Sequence, residues 1–362
     1  MQGSADSDSV APSWQVAPAG RVPTTLQALR WLYGLPESLG VAITVVALFS
    51  LIVIAIAAAF GAPLQFPSER VSHALGYNAV LPVLFAIVFY VGLRLFRAVA
   101  PGSESGEAPL ARMVATDLVL MGLFLIATYF HFSLKTWVQV INPVFYDDIY
   151  MAVDRRLQPV LDLFYWIRTN VLGLVPNTDA WYQAAFLLMF VSGFCSLAVT
   201  RNPVYPRFCV GVLLTMCLGA LSYLVAPALG PFIYEIGLNA HATEAQAGML
   251  WAHEQVARDG MAWVAKIGSD YFTGGLAAMP SLHMAHAVVM TWFISKARSP
   301  LIPIFLLICF WVLIESVASR WHYLIDLPAG ALLAVFIIWL TSRLCPLPSP
   351  AAEVERAQAS SI

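Results

Sequence analysis

Two histidines in the last third of the chain stand among residues that handle anions. His283 ends the stretch Ala277-Ala278-Met279-Pro280-Ser281-Leu282-His283, and His322 lies in Ser319-Arg320-Trp321-His322-Tyr323-Leu324-Ile325-Asp326. Asp326 follows His322 by four residues, a spacing that brings carboxylate to imidazole in a helix or in a turn. A carboxylate on one ring nitrogen fixes the tautomer and makes the other nitrogen a better nucleophile. His322 is therefore the candidate nucleophile. Arg320 offers a planar fork of donors suited to phosphate oxygens. Pro280 suits the first turn of a helix, where its missing N–H costs nothing, and Gly274 and Gly275 upstream permit a tight turn. The free N–H groups after Pro280 would then form an anion site at the positive end of the helix dipole. His283, inside that first turn, is placed to protonate a departing oxygen. These parts suit the transfer of a phosphoryl group.

Each residue also has a plainer reading. A lone interfacial histidine is commonly structural, and Arg320 with Asp326 could be a simple ion pair. Their concentration within eight residues, opposite a Pro-Ser-x-His helix start, favours the chemical reading. His286 could share a face with His283 and His322 in a zinc site. No cysteine or extra carboxylate pattern accompanies it, so neither metal nor other cofactor is expected. Glu315, an ionisable group in an apolar run, is a functional suspect by default, with Arg320 or His286 as its expected partner.

The elements that must hold these residues are set by composition. Of 362 residues 60% are hydrophobic and 11% charged, and the mean hydropathy is +0.75, against about 25% charged in an ordinary soluble domain. An all-α integral membrane protein is expected. The net charge of -2 and the lack of a basic tract argue against nucleic acid as a partner. Five scattered cysteines, without Cys-x-x-Cys spacing, suggest packing rather than disulfides or zinc.

Apolar runs of spanning length occur near 39–60, 78–98, 114–133, 181–199, 208–227, 301–318 and 323–343. A shorter one at 281–296 makes about eight transmembrane helices, its length setting His283 slightly below the headgroups. The expected organisation is a flexible tail over 1–36 and two additional spans over 37–110. A six-helix core follows over 111–345, with loops 134–180 and 232–280, and a second flexible tail over 346–362. The first apolar stretch is long enough to span, so a cleavable leader is not expected.

Positive charge tests this count, since short cytoplasmic loops hold the excess of Lys and Arg. With the N-terminus inside, Arg94, Arg97, Arg112, Arg201, Arg207, Lys296, Arg298 and Arg343 all fall on the inner side. The long loops then lie outside, and His283 and His322 emerge on the same outer face. Residues 137–176 place Asp147, Asp148, Asp154, Arg155, Arg156 and Asp162 among aromatic and aliphatic residues at helical intervals. An interfacial amphipathic helix pair is predicted there, either solvated or walling a headgroup pocket. A further helix is predicted over about 243–266, carrying His253, Glu254, Arg258 and Asp259 as a solvated element or a lid.

These motifs resemble the type 2 phosphatidic acid phosphatase superfamily, and more closely its branch of inositol phosphorylceramide synthases and related bacterial proteins. The superfamily's Pro-Ser-Gly-His is matched by Pro280, Ser281, Leu282 and His283. Its Ser-Arg, five residues, His, three residues, Asp is matched by Ser319 and Arg320, then after one residue His322, then after three Asp326. The family's first motif, a lysine six residues ahead of Arg-Pro, is absent. In its place stands Ala226-Pro227-Ala228-Leu229-Gly230-Pro231 with Phe232 and Tyr234, similar to the proline-rich segment of the synthase-like branch. Arg258 or Lys266 could compensate for the missing basic clamp.

The resemblance covers about residues 145–343. It implies metal-free transfer through a phosphohistidine: His322 attacks, Asp326 orients it, His283 protonates the leaving group, and Ser281 and Arg320 hold phosphate. The implied partner is a membrane lipid bearing a phosphate, with water or a polyol such as inositol as acceptor. The implied setting is a bacterial inner membrane, with both termini cytoplasmic and the site facing the periplasm or exterior. A transporter, or a non-catalytic membrane scaffold, is the alternative class. Transporters carry internal repeats and broken spans in both halves, which this sequence lacks, and a silent scaffold would lose a key residue.

Overall fold

The computed structural model describes residues 37–69, 110–176, 178–274 and 278–346, with isolated positions between 71 and 96. The predicted N-terminal tail, the predicted C-terminal tail apart from Pro346, and most of the predicted span 78–98 lie outside the described residues. Among the described residues every regular element is a helix. In chain order these are α1 (Glu37–Phe60), α2 (Leu110–Ile141), α3 (Asp147–Arg156), α4 (Gln158–Asn170), α5 (Thr178–Val199) and α6 (Tyr205–Ser222). Then come α7 (Ala240–Asp259), α8 (Met261–Ile267), α9 (Leu282–Lys296), α10 (Ile302–Ala318) and α11 (Asp326–Leu344).

Five of these helices, α1, α2, α5, α6 and α11, are long and apolar enough to cross a membrane. Two expected spans are shorter: α10 has 17 residues and α9 has 15, about 22 Å for the latter. A short helix survives there because it is the centre of the bundle. α5, α6, α10 and α11 all pack on α9, and nine of its residues are buried. α1 packs against α2 and α6.

Small residues bring the neighbours close to the start of α9. A Cβ on Gly219 of α6 would lie 2.3 Å from Leu282, and one on Gly330 of α11 would lie 2.3 Å from the carbonyl oxygen of Ser281. The backbones meet there because nothing larger stands between them.

Two boundaries differ from the sequence expectation. α2 runs on to Ile141 rather than ending near 133, since no helix breaker intervenes before Asn142-Pro143. The single helix expected over 243–266 is two, α7 and α8, divided at Gly260, whose φ of 61° suits only glycine without strain. The predicted helix pair after α2 is present as α3 and α4.

Candidate active site

The start of α9 fixes one half of the site. Ser281 is its N-cap, with its hydroxyl accepting the N–H of Met284 at 3.3 Å and its carbonyl accepting that of Ala285 at 3.0 Å. Pro280 therefore precedes the cap and does not occupy the first turn as expected. The N–H groups of Leu282 and His283 have no partner among the described residues, so the positive end of the helix remains available to an anion. Ser281 is wholly buried and its N–H reaches the carbonyl of Asp326 at 3.1 Å. Its visible work is to cap α9 and tie it to α11. Gly275 lies outside the described residues.

The other half is a turn between α10 and α11. α10 closes with the N–H of Arg320 on the carbonyl of Val317 at 2.9 Å and that of Trp321 on Ser316 at 3.1 Å. This is the paired hydrogen bonding of a Schellman cap. Such a cap normally takes glycine in the left-handed position, but here Arg320 takes it with φ 58°, a conformation costing a non-glycine residue about 1–2 kcal/mol. His322 N–H also bonds to Ser316, at 3.0 Å, so the backbone that carries the imidazole is held on both sides. Asp326 opens α11, and the His322 to Asp326 spacing is closed by a turn.

The two imidazoles meet, with ring centroids 6.0 Å apart. His322 Nδ1 lies 2.8 Å from the carbonyl of Ala278 and 3.3 Å from Asp326 Oδ2. A carbonyl only accepts, so Nδ1 carries the proton and Nε2 is the free lone pair. Asp326 Oδ2 also takes the N–H of Tyr323 at 2.9 Å. His283 is flanked by Tyr182 and Phe186 of α5, at centroid distances of 5.6 and 4.7 Å.

What anchors this turn is α3. Asp147 accepts the N–H groups of Leu229 and Gly230 at 3.0 Å and the hydroxyl of Tyr323 at 2.7 Å. The loop so held gives Ala228 O to the N–H of Ala278 at 2.9 Å, which in turn presents the carbonyl that orients His322. Gly230 needs its φ of 128° for this path. Asp154, two turns along, accepts the N–H of Leu324 at 2.9 Å and Arg320 Nη1 at 3.1 Å. Both carboxylates are buried, and burial pushes that of Asp154 above the usual range, opposed by the Leu324 N–H and the Arg320 charge.

Arg320, expected as a phosphate ligand, already has two carboxylates beside it. Its side chain is fully buried between Asp154 and Glu235, the latter at 2.5 Å. Glu315 pairs neither with Arg320 nor with His286: Arg168 Nε reaches it at 2.5 Å and Asn239 Nδ2 at 2.6 Å. His286 turns Nδ1 to the carbonyl of Leu282 at 2.9 Å and packs on Phe190. Tyr234 donates to Asp148 at 2.6 Å, and its hydroxyl is pushed up to about 12 by burial and by that carboxylate. Arg258 is exposed beside Asp259 and Gln255, and Lys266 is exposed. No three His, Cys, Asp or Glu side chains gather as a metal site among the described residues.

Sequence reasoning put Asp147 and Asp154 on an amphipathic helix without assigning them these anchoring roles, and it missed Ala278. The two aspartates are seven apart with Tyr150 and Met151 between them, all four buried on one face. That period was the available signal. The role of Ala278 is carried by its backbone and leaves no signal.

A family model described as the PAP2 superfamily matches residues 151–340, more than half of the chain. The chain belongs to the PAP2 superfamily. No curated protein and no solved structure matches it. The PAP2 match takes in His283, His322 and Asp326, and leaves α1, α2 and Asp147 outside. Membership supports a phosphatase-type function, and with five apolar helices it describes a helical membrane protein.

Proposed function

We propose that this PAP2 protein is a membrane-embedded lipid phosphatase or phosphotransferase working through a phosphohistidine on His322. The supporting observation is the meeting of His283 and His322 from separate helices, with Nδ1 of His322 held by a carbonyl and a carboxylate so that Nε2 is free to attack. Nε2 forms an N–P bond as the ester P–O bond breaks, and the leaving oxygen takes a proton from His283. Water or a hydroxyl then gives its proton to His283 and attacks phosphorus. The N–P electron pair returns to His322. Asp326 and the Ala278 carbonyl stabilise the imidazolium character of His322 while phosphate is attached. The unpaired N–H groups at the start of α9 face the growing negative charge.

The motif variants Leu282 and the short Arg320 to His322 interval favour the synthase-like branch, hence a lipid substrate and a polyol acceptor. The resemblance favours a bacterial inner membrane, and the distribution of Arg and Lys favours a site on its outer face. Purified protein given labelled lipid phosphates, with and without inositol and with chelator, distinguishes hydrolysis from transfer and tests for a metal requirement. Wild type is expected to turn over and to hold acid-labile phosphate, and His322→Ala to lose at least about 10³-fold in kcat. Undiminished turnover in His322→Ala removes the nucleophile.

A further inference from the structure

Three arginines at this end of the bundle already have carboxylate partners. Arg320 is held by Asp154 and Glu235, Arg168 by Glu315, and Arg258 stands exposed beside Asp259. Lys135 of α2 is different. It is half-buried, makes no hydrogen bond or ion pair among the described residues, and sets its ammonium 5.8 Å from the Tyr223 ring centroid. Keeping a charge partly out of water with no carboxylate beside it is costly. Ionisable groups retained in spanning helices under such conditions usually meet something charged that comes and goes.

Two placements say what that is. Val138, one turn beyond Lys135, packs with Tyr223, Leu282 and Ala285, the last two of which flank His283 in the first turn of α9. Lys135 also lines a pocket open to solvent with Gln139, His253, Trp263, Tyr271 and Gly274. The lysine therefore stands between a solvent-open pocket and the helix start that bears the proton donor.

We infer that Lys135 is the cation that binds the phosphate of the substrate, a phosphate ester anion entering between α2 and the start of α9. The contact comes from outside the region matched by the family model. It rests on the proposed reaction only in taking the transferred phosphate as the bound anion.

Lys135→Met keeps the chain length and removes the charge; Lys135→Arg keeps the charge. Lys135→Met is expected to raise KM for a lipid phosphate, and Ki for inorganic phosphate as competitor, by about tenfold or more. Lys135→Arg should stay within about threefold of wild type. An amine-reactive reagent applied to His322→Ala, with modification of Lys135 read by mass spectrometry, gives a measurement independent of turnover and of any variant at 135. Inorganic phosphate at saturating concentration is expected to shield Lys135. Unchanged KM and Ki in Lys135→Met overturn the inference, as does equal labelling with and without phosphate. If wild type shows no turnover the reaction proposed above fails, and the labelling result alone decides whether Lys135 binds phosphate.

Discussion

The order of distances around His322 has a consequence for Asp326. In a catalytic triad the carboxylate is the group that sets the imidazole tautomer, and its amide replacement costs about 10⁴ in kcat through the wrong tautomer. Here a backbone carbonyl at 2.8 Å stands closer to Nδ1 than the carboxylate at 3.3 Å, and no substitution removes it. Asp326→Asn is therefore expected to lower kcat by about 10–10²-fold, through lost charge stabilisation, with KM little changed. His322→Ala measured in the same phosphate-release assay sets the floor. If Asp326→Asn falls to that floor, the Ala278 carbonyl does not hold the tautomer and the carboxylate alone does.

At the scale of elements, α3 is the part that converts a motif into a geometry. Asp154 and Arg320 form an ion pair with neither side chain exposed, and the same carboxylate holds the backbone at Leu324. Breaking such a pair from one side leaves an uncompensated charge at a cost of about 3–5 kcal/mol. Asp154→Leu and Arg320→Met should each lower the thermal midpoint in detergent by several degrees, and the double variant should recover part of the loss. Additive losses would mean that the two groups stabilise the fold independently. This element also shows where the sequence was readable. His283, His322 and Asp326 were legible because their spacing is local and their chemistry specific. Helices α5, α6 and α11 were legible because apolar runs of spanning length have few other uses. The burial of Asp147, Asp154 and Arg320 was not, since each carboxylate looked like part of a solvated face until partners more than 80 residues away came against it. The end of α2 was misplaced because hydropathy falls at Lys135 while the helix hydrogen bonds continue to Ile141.

For the molecule as a whole, the site's elements gather at one end of the bundle. The ends of α2, α6 and α10 and the starts of α9 and α11 meet there, roofed by α3, α7 and the loop that carries Pro231. The opposite end carries the turns around Arg201 and Arg298, both with positive φ. Lys296 and Arg343 lie in the last turns of α9 and α11, so helix dipole and lysine-arginine excess agree on that end. An outward site follows if the basic end faces the cytoplasm, and it would act on lipids of the outer leaflet. Single cysteines at Glu244 and at Thr200, both exposed and at opposite ends, test this in intact cells after the five native cysteines are replaced. A membrane-impermeant maleimide is expected to label Glu244→Cys directly and Thr200→Cys only once the membrane is opened. The reverse pattern would put both imidazoles on the cytoplasmic side, and the lipid they meet would then be one of the inner leaflet.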